Sequence, residues 1–420
     1  MNRNRIAATT LTLAGAMTLI LTGCSTGGSG GDKILRIAMG SPGEAQIAVW
    51  NSVADQFKKA NPEWSVELNF QNDDLYETIG LPNLLNGRKA PDIYFEWVGK
   101  RLQQRTADGF AADLTEQVTR SPLAGVLDPV HYKAATVDGK IRMVPRIADV
   151  SNVIWYNTDL LAAHGVTPPK TWEDLLLACD TLNAAGIVPI ASGNKDLWAA
   201  GNWLGHLVSR VVGAEVYNRA LDAKSSFDTP EWKKAFGYIT ALRQHGCVNE
   251  SANAIDDNAG AQLFFQQKAA MHATGSWLVS WAITEAPDLN FDYVNLPAMP
   301  AEVDTGSVEG VITGYVINAK SSPHKGAKAA EFLALLYTPE NTAAFIAADA
   351  VPLNATPSAG INERTIRLRS LLAEAPVVIS PADTGFDPKV ASAFYRALAE
   401  ILGGRTSAED AATQLAKQVR

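Results

Sequence analysis

The sequence predicts an α/β protein with two lobes, each built from alternating strands and helices. ILRIAMG (34–40), SVELNF (65–70) and DIYF (92–95) read as strands separated by helical stretches. NVIWYN (152–157), IVPIAS (187–192) and KAAMHAT (268–274) open a second series of the same kind. Beyond an N-terminal leader about 390 residues remain, enough for two substantial cores.

ILRIAMG alternates apolar and polar positions and ends at an SPG turn. In the stretch after it, Ile47, Trp50, Val53, Ala54 and Phe57 share one helical face, and Asn61-Pro62 stops the helix. A helical stretch with an irregularity at Pro82 leads to Asn86-Gly87 and then to DIYF. This alternation argues for a parallel sheet with both faces covered. Ligands collect at the carboxyl ends of such strands, so Ser41 to Glu44, Gln71 to Asp74 and Glu96 to Lys100 are the places to search. Glu44 and Asp73 are weaker candidates there.

In the second series the TPPK turn precedes Thr171, an N-cap whose weaker capping-box partner is Asp174. The helix that follows runs to Gly186. Cys179 sits at helical spacing with Trp172, Leu175, Leu176 and Leu182, so burial as a small apolar residue is its expected role. A bridge to Cys247 stays open, but two cysteines do not make a framework. Gly275-Ser276-Trp277 opens the next helix. VITGYVIN (311–318) is strand-like, and helices begin near His324, Glu340 and Pro388.

Arg3 and Arg5 followed by an apolar run to Thr22 read as a secretion signal over 1–23, too short to span a bilayer. Leu21-Thr22-Gly23-Cys24 resembles a bacterial lipobox, which implies acylation of Cys24. Acyl chains anchor at about 0.8 kcal/mol per buried CH₂. The alternative is an ordinary secreted protein. Residues 24–32 are glycine- and serine-rich and read as a flexible tether. A net charge of −8 leaves no basic footprint for nucleic acid. The six histidines are scattered, and no HExxH, CxxC, GxSxG or P-loop is present. No metal or cofactor is expected.

KAPDIYFEW, MVPRIADVSNVIWYNTDLLAAHGVTPPKTWEDLL, LFFQQKAAMHATGSW and GYVINAKSSPHKGAKAAEFLALLYTPE together resemble extracellular solute-binding protein family 1, in its maltose-binding-protein-like, sugar-binding branch. The resemblance covers most of the chain after the tether. It implies a type II periplasmic-binding-protein fold, with mostly parallel sheets in two lobes joined by a hinge. On that pattern the N-lobe takes 33–146 plus about 313–358, and the C-lobe 150–308 plus about 359–420. The implied activity is capture of a di- or oligosaccharide and delivery to an ABC permease. The protein would act as a lipid-anchored monomer on the outer face of the membrane.

A sugar site needs flat aromatic faces for C–H surfaces and paired polar groups for hydroxyls. Trp277, after a strand and at a helix start, is the first choice, and the family's tryptophan at this position stacks on sugar. Glu96 and Trp97 follow the third strand, and at least one should line the cleft. Arg146 and Asp149 lie where the resemblance places the first crossover; an interlobe ion pair is the plainer reading. In SGNKDLWAAGNW, Asn194, Asp196 and Trp198 are favoured over Trp203, which suits a core helix. Glu309 precedes glycines that suit a hinge as well as a site, and Phe394 is either a late cleft aromatic or core. The rival ligand is another polar solute such as a glycerol phosphate ester, with Arg146 as phosphate partner. The rival class is a surface glycoside hydrolase using two of Glu96, Asp149 and Glu309.

Overall fold

The computed structural model describes residues 33–72, 75–120, 122–300, 306–356 and 360–419. The leader, Cys24, the tether and Asp73 lie outside the described residues. Among the described residues there are twelve strands: β1 (Ile34–Gly40), β2 (Ser65–Gln71), β3 (Ile93–Trp97), β4 (Thr136–Val137), β5 (Lys140–Ile141), β6 (Val144–Val150), β7 (Val153–Asn157), β8 (Val188–Ala191), β9 (Ala269–Thr274), β10 (Phe291–Val294), β11 (Val308–Ile317) and β12 (Val378–Ile379). No helix among the described residues is long and apolar enough to cross a membrane.

The first sheet has the order β12-β11-β3-β1-β2, with β6 also paired to β11. β1 lies between β2 and β3 and is parallel to both, as the strand–helix–strand reading requires. The helix Glu44–Ala60 buries Trp50, Val53 and Phe57 against it. Trp50 stacks on Phe332 at 6.2 Å and meets the edges of Tyr315 and Phe345. These rings make the centre of the first lobe's core.

The second sheet, β10-β7-β9-β8, is mixed. Two of its three pairings are antiparallel, because β7 enters directly from the hinge strand β6 and lies against both β9 and β10. The helix Trp172–Ala184 packs on it behind a full capping box. Thr171 Oγ1 accepts from Asp174 N at 3.1 Å, and Asp174 Oδ2 accepts from Thr171 N at 3.0 Å. Cys179 is buried as expected, but it is not free: it is bonded to Cys247. Helical spacing reports the buried face of one helix. It does not report that the segment ending at Cys247 runs beside that face, bridging to β8 through Ile190 and Val248.

The two cores are joined by strands that belong to both. Val144, early in β6, lies in the first core and Val150, at its end, in the second. β11 makes the return, from Val308 in the second core to Tyr315 and Ile317 in the first. The strands pair antiparallel from Gly310 opposite Val150 to Tyr315 opposite Val144, with a register shift at Thr313/Gly314. A Cβ at Gly314 would lie 2.2 Å from the Val144 carbonyl oxygen, so glycine alone allows the approach. A third crossing leads from Phe345 and Ala350 in the first core to Leu368 in the second.

Removing the crosslink with Cys179→Ser and Cys247→Ser, or with dithiothreitol, should cost about 4 kcal/mol, the chain-entropy value for a 68-residue separation. Guanidinium denaturation with and without reductant measures this, and an unchanged midpoint would show that the bond adds nothing.

Candidate functional site

A cavity of about 260 Å³ lies over the β6–β11 ladder, walled by both lobes. The first lobe supplies Phe95, Trp97 and Tyr315, and the second supplies Trp198, Trp277 and Trp281. A larger open groove between the helices Pro230–Gln244 and Ala408–Gln418 has no aromatic side chain on its wall.

Each ring is held by local structure. Trp155 of β7 donates from Nε1 to the Thr274 and Gly275 carbonyls at 3.2 and 3.1 Å, pinning the Gly275-Ser276-Trp277 turn. Ser276 N donates to Val150 O at 2.9 Å, which ties the same turn to the hinge strand. The Trp277 ring folds back over Gly275, where a Cβ would sit 2.1 Å from it. Trp198 opens the helix Trp198–Val212 and lies 6.0 Å from Trp277. It follows Leu197, whose φ of 70° is costly for a branched side chain. Across the cavity, Trp97 meets the edge of Phe95 and carries the Arg101 guanidinium 4.9 Å from its centroid. Arg101 pairs with Glu77 and donates from Nε to the Asp383 carbonyl of the second lobe at 3.0 Å.

Two carboxyl groups stand on the floor. Asp149 of β6 accepts from Ser276 Oγ at 2.6 Å. Burial pushes its carboxyl up to about 6, against the opposing pull of Ser276 and Arg369. Asp349 accepts from Thr365 Oγ1 at 3.3 Å. Burial also pushes this carboxyl up to about 6; Thr365 and Arg364 oppose the rise and Asp149 adds to it. Among the described residues, Arg369 is the one cationic side chain on the cavity wall.

Of the residues singled out from sequence, Trp97, Asp149, Trp198 and Trp277 line this cavity. Glu96, Arg146, Asn194, Asp196, Glu309 and Phe394 do not. Glu96 is one strand position from Trp97, so it faces the other side, where its carboxylate accepts from Arg105 Nε at 2.8 Å. Arg146 is buried between Tyr337 and Phe345 and donates to the Leu336 carbonyl at 3.0 Å. Asn194 is buried and donates to Asn253 Oδ1, while Asp196 is half-buried off the wall. Glu309 is sealed in the hinge, accepting from Asn152 Nδ2 at 2.5 Å, and burial holds its carboxyl well above the usual range. Phe394 is core, among Phe227, Trp232 and Phe236. Glu44 is exposed away from the cavity.

Sequence reasoning missed Tyr315, Trp281, Asp349, Thr365 and Arg369. Trp281 was legible, four residues after Trp277 on one helical face. The others sit on β11 or the third crossover, which carries no strand-end signal.

With this geometry in place, a family model described as bacterial extracellular solute-binding protein matches residues 41–343. The chain belongs to that family. An uncharacterized ABC transporter extracellular-binding protein of Pyrococcus horikoshii is 23% identical over 66% of this chain, a match spanning 62% of that relative. The melibiose/raffinose/stachyose-binding protein MelE of Bacillus subtilis is 23% identical over 80% of this chain and 79% of its own length. A solved chitin oligosaccharide binding protein superposes with a TM-score of 0.83 at 22% identity, covering 93% of this solute-binding protein and 98% of that chain. The type II, two-lobe fold is therefore shared.

Gly275→Ala should displace the Trp277 ring and cost about 1–3 kcal/mol through overpacking. Urea denaturation and tryptophan fluorescence test this, and a variant with wild-type stability and emission would mean that the ring does not depend on the glycine.

Proposed function

We propose that this solute-binding protein captures a carbohydrate between its lobes and delivers it to the membrane permease of an ABC importer. The observation that carries the reading is the cavity wall: aromatic rings from both lobes face a floor of carboxylates directly over the hinge. Indole and phenol faces suit the C–H surfaces of sugar rings, and carboxylates accept from hydroxyls. The relatives named for melibiose, raffinose, stachyose and chitin oligosaccharides support the class. A cavity of about 260 Å³ suits one or two rings better than a long oligosaccharide.

The glycerol phosphate alternative is disfavoured, because Arg146 is buried away from the cavity and the floor is acidic. Of the carboxylates the hydrolase reading named, Glu96, Asp149 and Glu309, only Asp149 reaches the cavity. Binding without catalysis, a monomeric state and an acylated Cys24 leashing the protein outside the membrane complete the proposal. Closure by hinge rotation lets the permease distinguish loaded from empty protein.

A thermal-shift screen against neutral mono- and disaccharides should find a ligand that raises the melting temperature with concentration. Trp277→Ala should then weaken that ligand by at least about tenfold in calorimetry with the fold retained. Unchanged affinity would remove Trp277 from the site.

A further inference from the structure

Asp149 and Asp349 come from different parts of the chain and meet in one cavity. Asp149 belongs to the hinge strand β6, and its hydroxyl donor Ser276 lies in the Trp277 turn. Asp349 follows the helix Pro339–Ala347, and its donor Thr365 lies on the helix Glu363–Glu374. The backbone at Asp349 is left-handed, with φ of 53°. Asp349 is the residue just past the end of the helix Pro339–Ala347, a position where aspartate tolerates this backbone.

Each ionised carboxylate has about four acceptor sites and no donor. Each is shown one hydroxyl: Ser276 at 2.6 Å from Asp149 and Thr365 at 3.3 Å from Asp349. The arginines facing them are partly engaged elsewhere, and each still pulls on its carboxylate. Arg369 Nη1 donates to the Val351 and Pro352 carbonyls at 3.4 and 3.3 Å. Arg364 donates to the Phe291 carbonyl at 2.8 Å and lies over the Phe291 ring. Among the described residues the lining holds Glu77, Asp149, Asp257, Asp349 and Asp383 against one cationic side chain, Arg369, so negative charge prevails.

We infer that Asp149 and Asp349 form a paired-carboxylate subsite that selects sugars by the hydrogen-bond donors they bring, accepting neutral and amino sugars and rejecting acidic ones. This rests on the carbohydrate reading of the cavity. Hydroxyl and ammonium groups fill the empty acceptor positions. The charged group of a uronate, a sulfate or a phosphate offers only acceptors and like charge in a partly buried space, where repulsion is weakly screened.

The same pair costs the unliganded fold stability. A carboxyl raised from 3.8 to about 6 binds more protons folded than unfolded between those values, so stability falls as pH rises through that window. Asparagine tolerates the left-handed backbone and carries no charge.

The test has two arms. In the first, neutral mono- and disaccharides, glucosamine, galactosamine, glucuronate and galacturonate are titrated at pH 7.5 and constant ionic strength. Neutral or amino sugars should bind at least about tenfold tighter than the uronates, and Asp349→Asn should narrow that gap. Equal or tighter uronate binding would overturn the inference. The second arm needs no ligand. Asp349→Asn should raise the melting temperature by about 2 °C at pH 7.5, with the rise gone by about pH 4. A lower melting temperature at pH 7.5 would mark Asp349 as structural and overturn the inference. If no sugar binds while the melting rise is seen, the carbohydrate reading fails and the uncompensated carboxylate pair stands.

Discussion

Strands β6 and β11 lie side by side over the length of the hinge, and each begins in one apolar core and ends in the other. Their contact is tight enough at Gly314 that no side chain fits. The cavity floor is made of this ladder, with Ile147, Asp149, Val311, Thr313 and Tyr315 all facing it. Beneath runs a buried polar chain. Glu309 accepts from Asn152, whose Oδ1 meets His206 Nδ1 at 2.7 Å, and His206 Nε2 meets the Ser307 carbonyl at 3.0 Å. Burial drops His206 to about 3 and lifts Glu309 well above the usual carboxylate range, and Arg210 Nη2 donates to the same Ser307 carbonyl at 3.2 Å.

Much of this architecture can be read from local pattern. Strands ending in a turn, apolar faces at helical spacing and the Thr171–Asp174 cap each depend on residues near one another in sequence, and each appears where expected. The aromatic walls follow from the same logic, since Trp97 ends β3 and Trp277 stands just past β9. The failures are non-local. Alternation along β3 decides which of Glu96 and Trp97 faces the ligand, and one register step exchanges them. Arg146 finds its partners on the 337–345 segment, nearly two hundred residues away. Asp349 has no sequence signal because its place depends on the third crossover. Cys247 and Cys179 lie 68 positions apart, so no local pattern reports their pairing.

The site also shows how a family fold acquires individual chemistry. The rings are fixed by backbone devices: a folded-back turn at Gly275, a left-handed residue before Trp198 and a guanidinium over Trp97. The polar floor comes instead from segments joining the lobes. Aromatic walls set the shape of the guest, whereas the joining segments set its hydrogen-bonding sense.

Arg101 reaches from the first lobe to the Asp383 carbonyl of the second, while its neighbour Gly99 sits against Thr384, where a Cβ would lie 2.6 Å from the carbonyl oxygen. The rim is thus stapled at one spot by a charge-assisted bond whose acceptor residue, Asp383, also lines the cavity. Breaking that staple is a toll on every opening event, whatever the guest. Its influence falls on how long a captured molecule dwells, beside the choice among molecules that the floor makes.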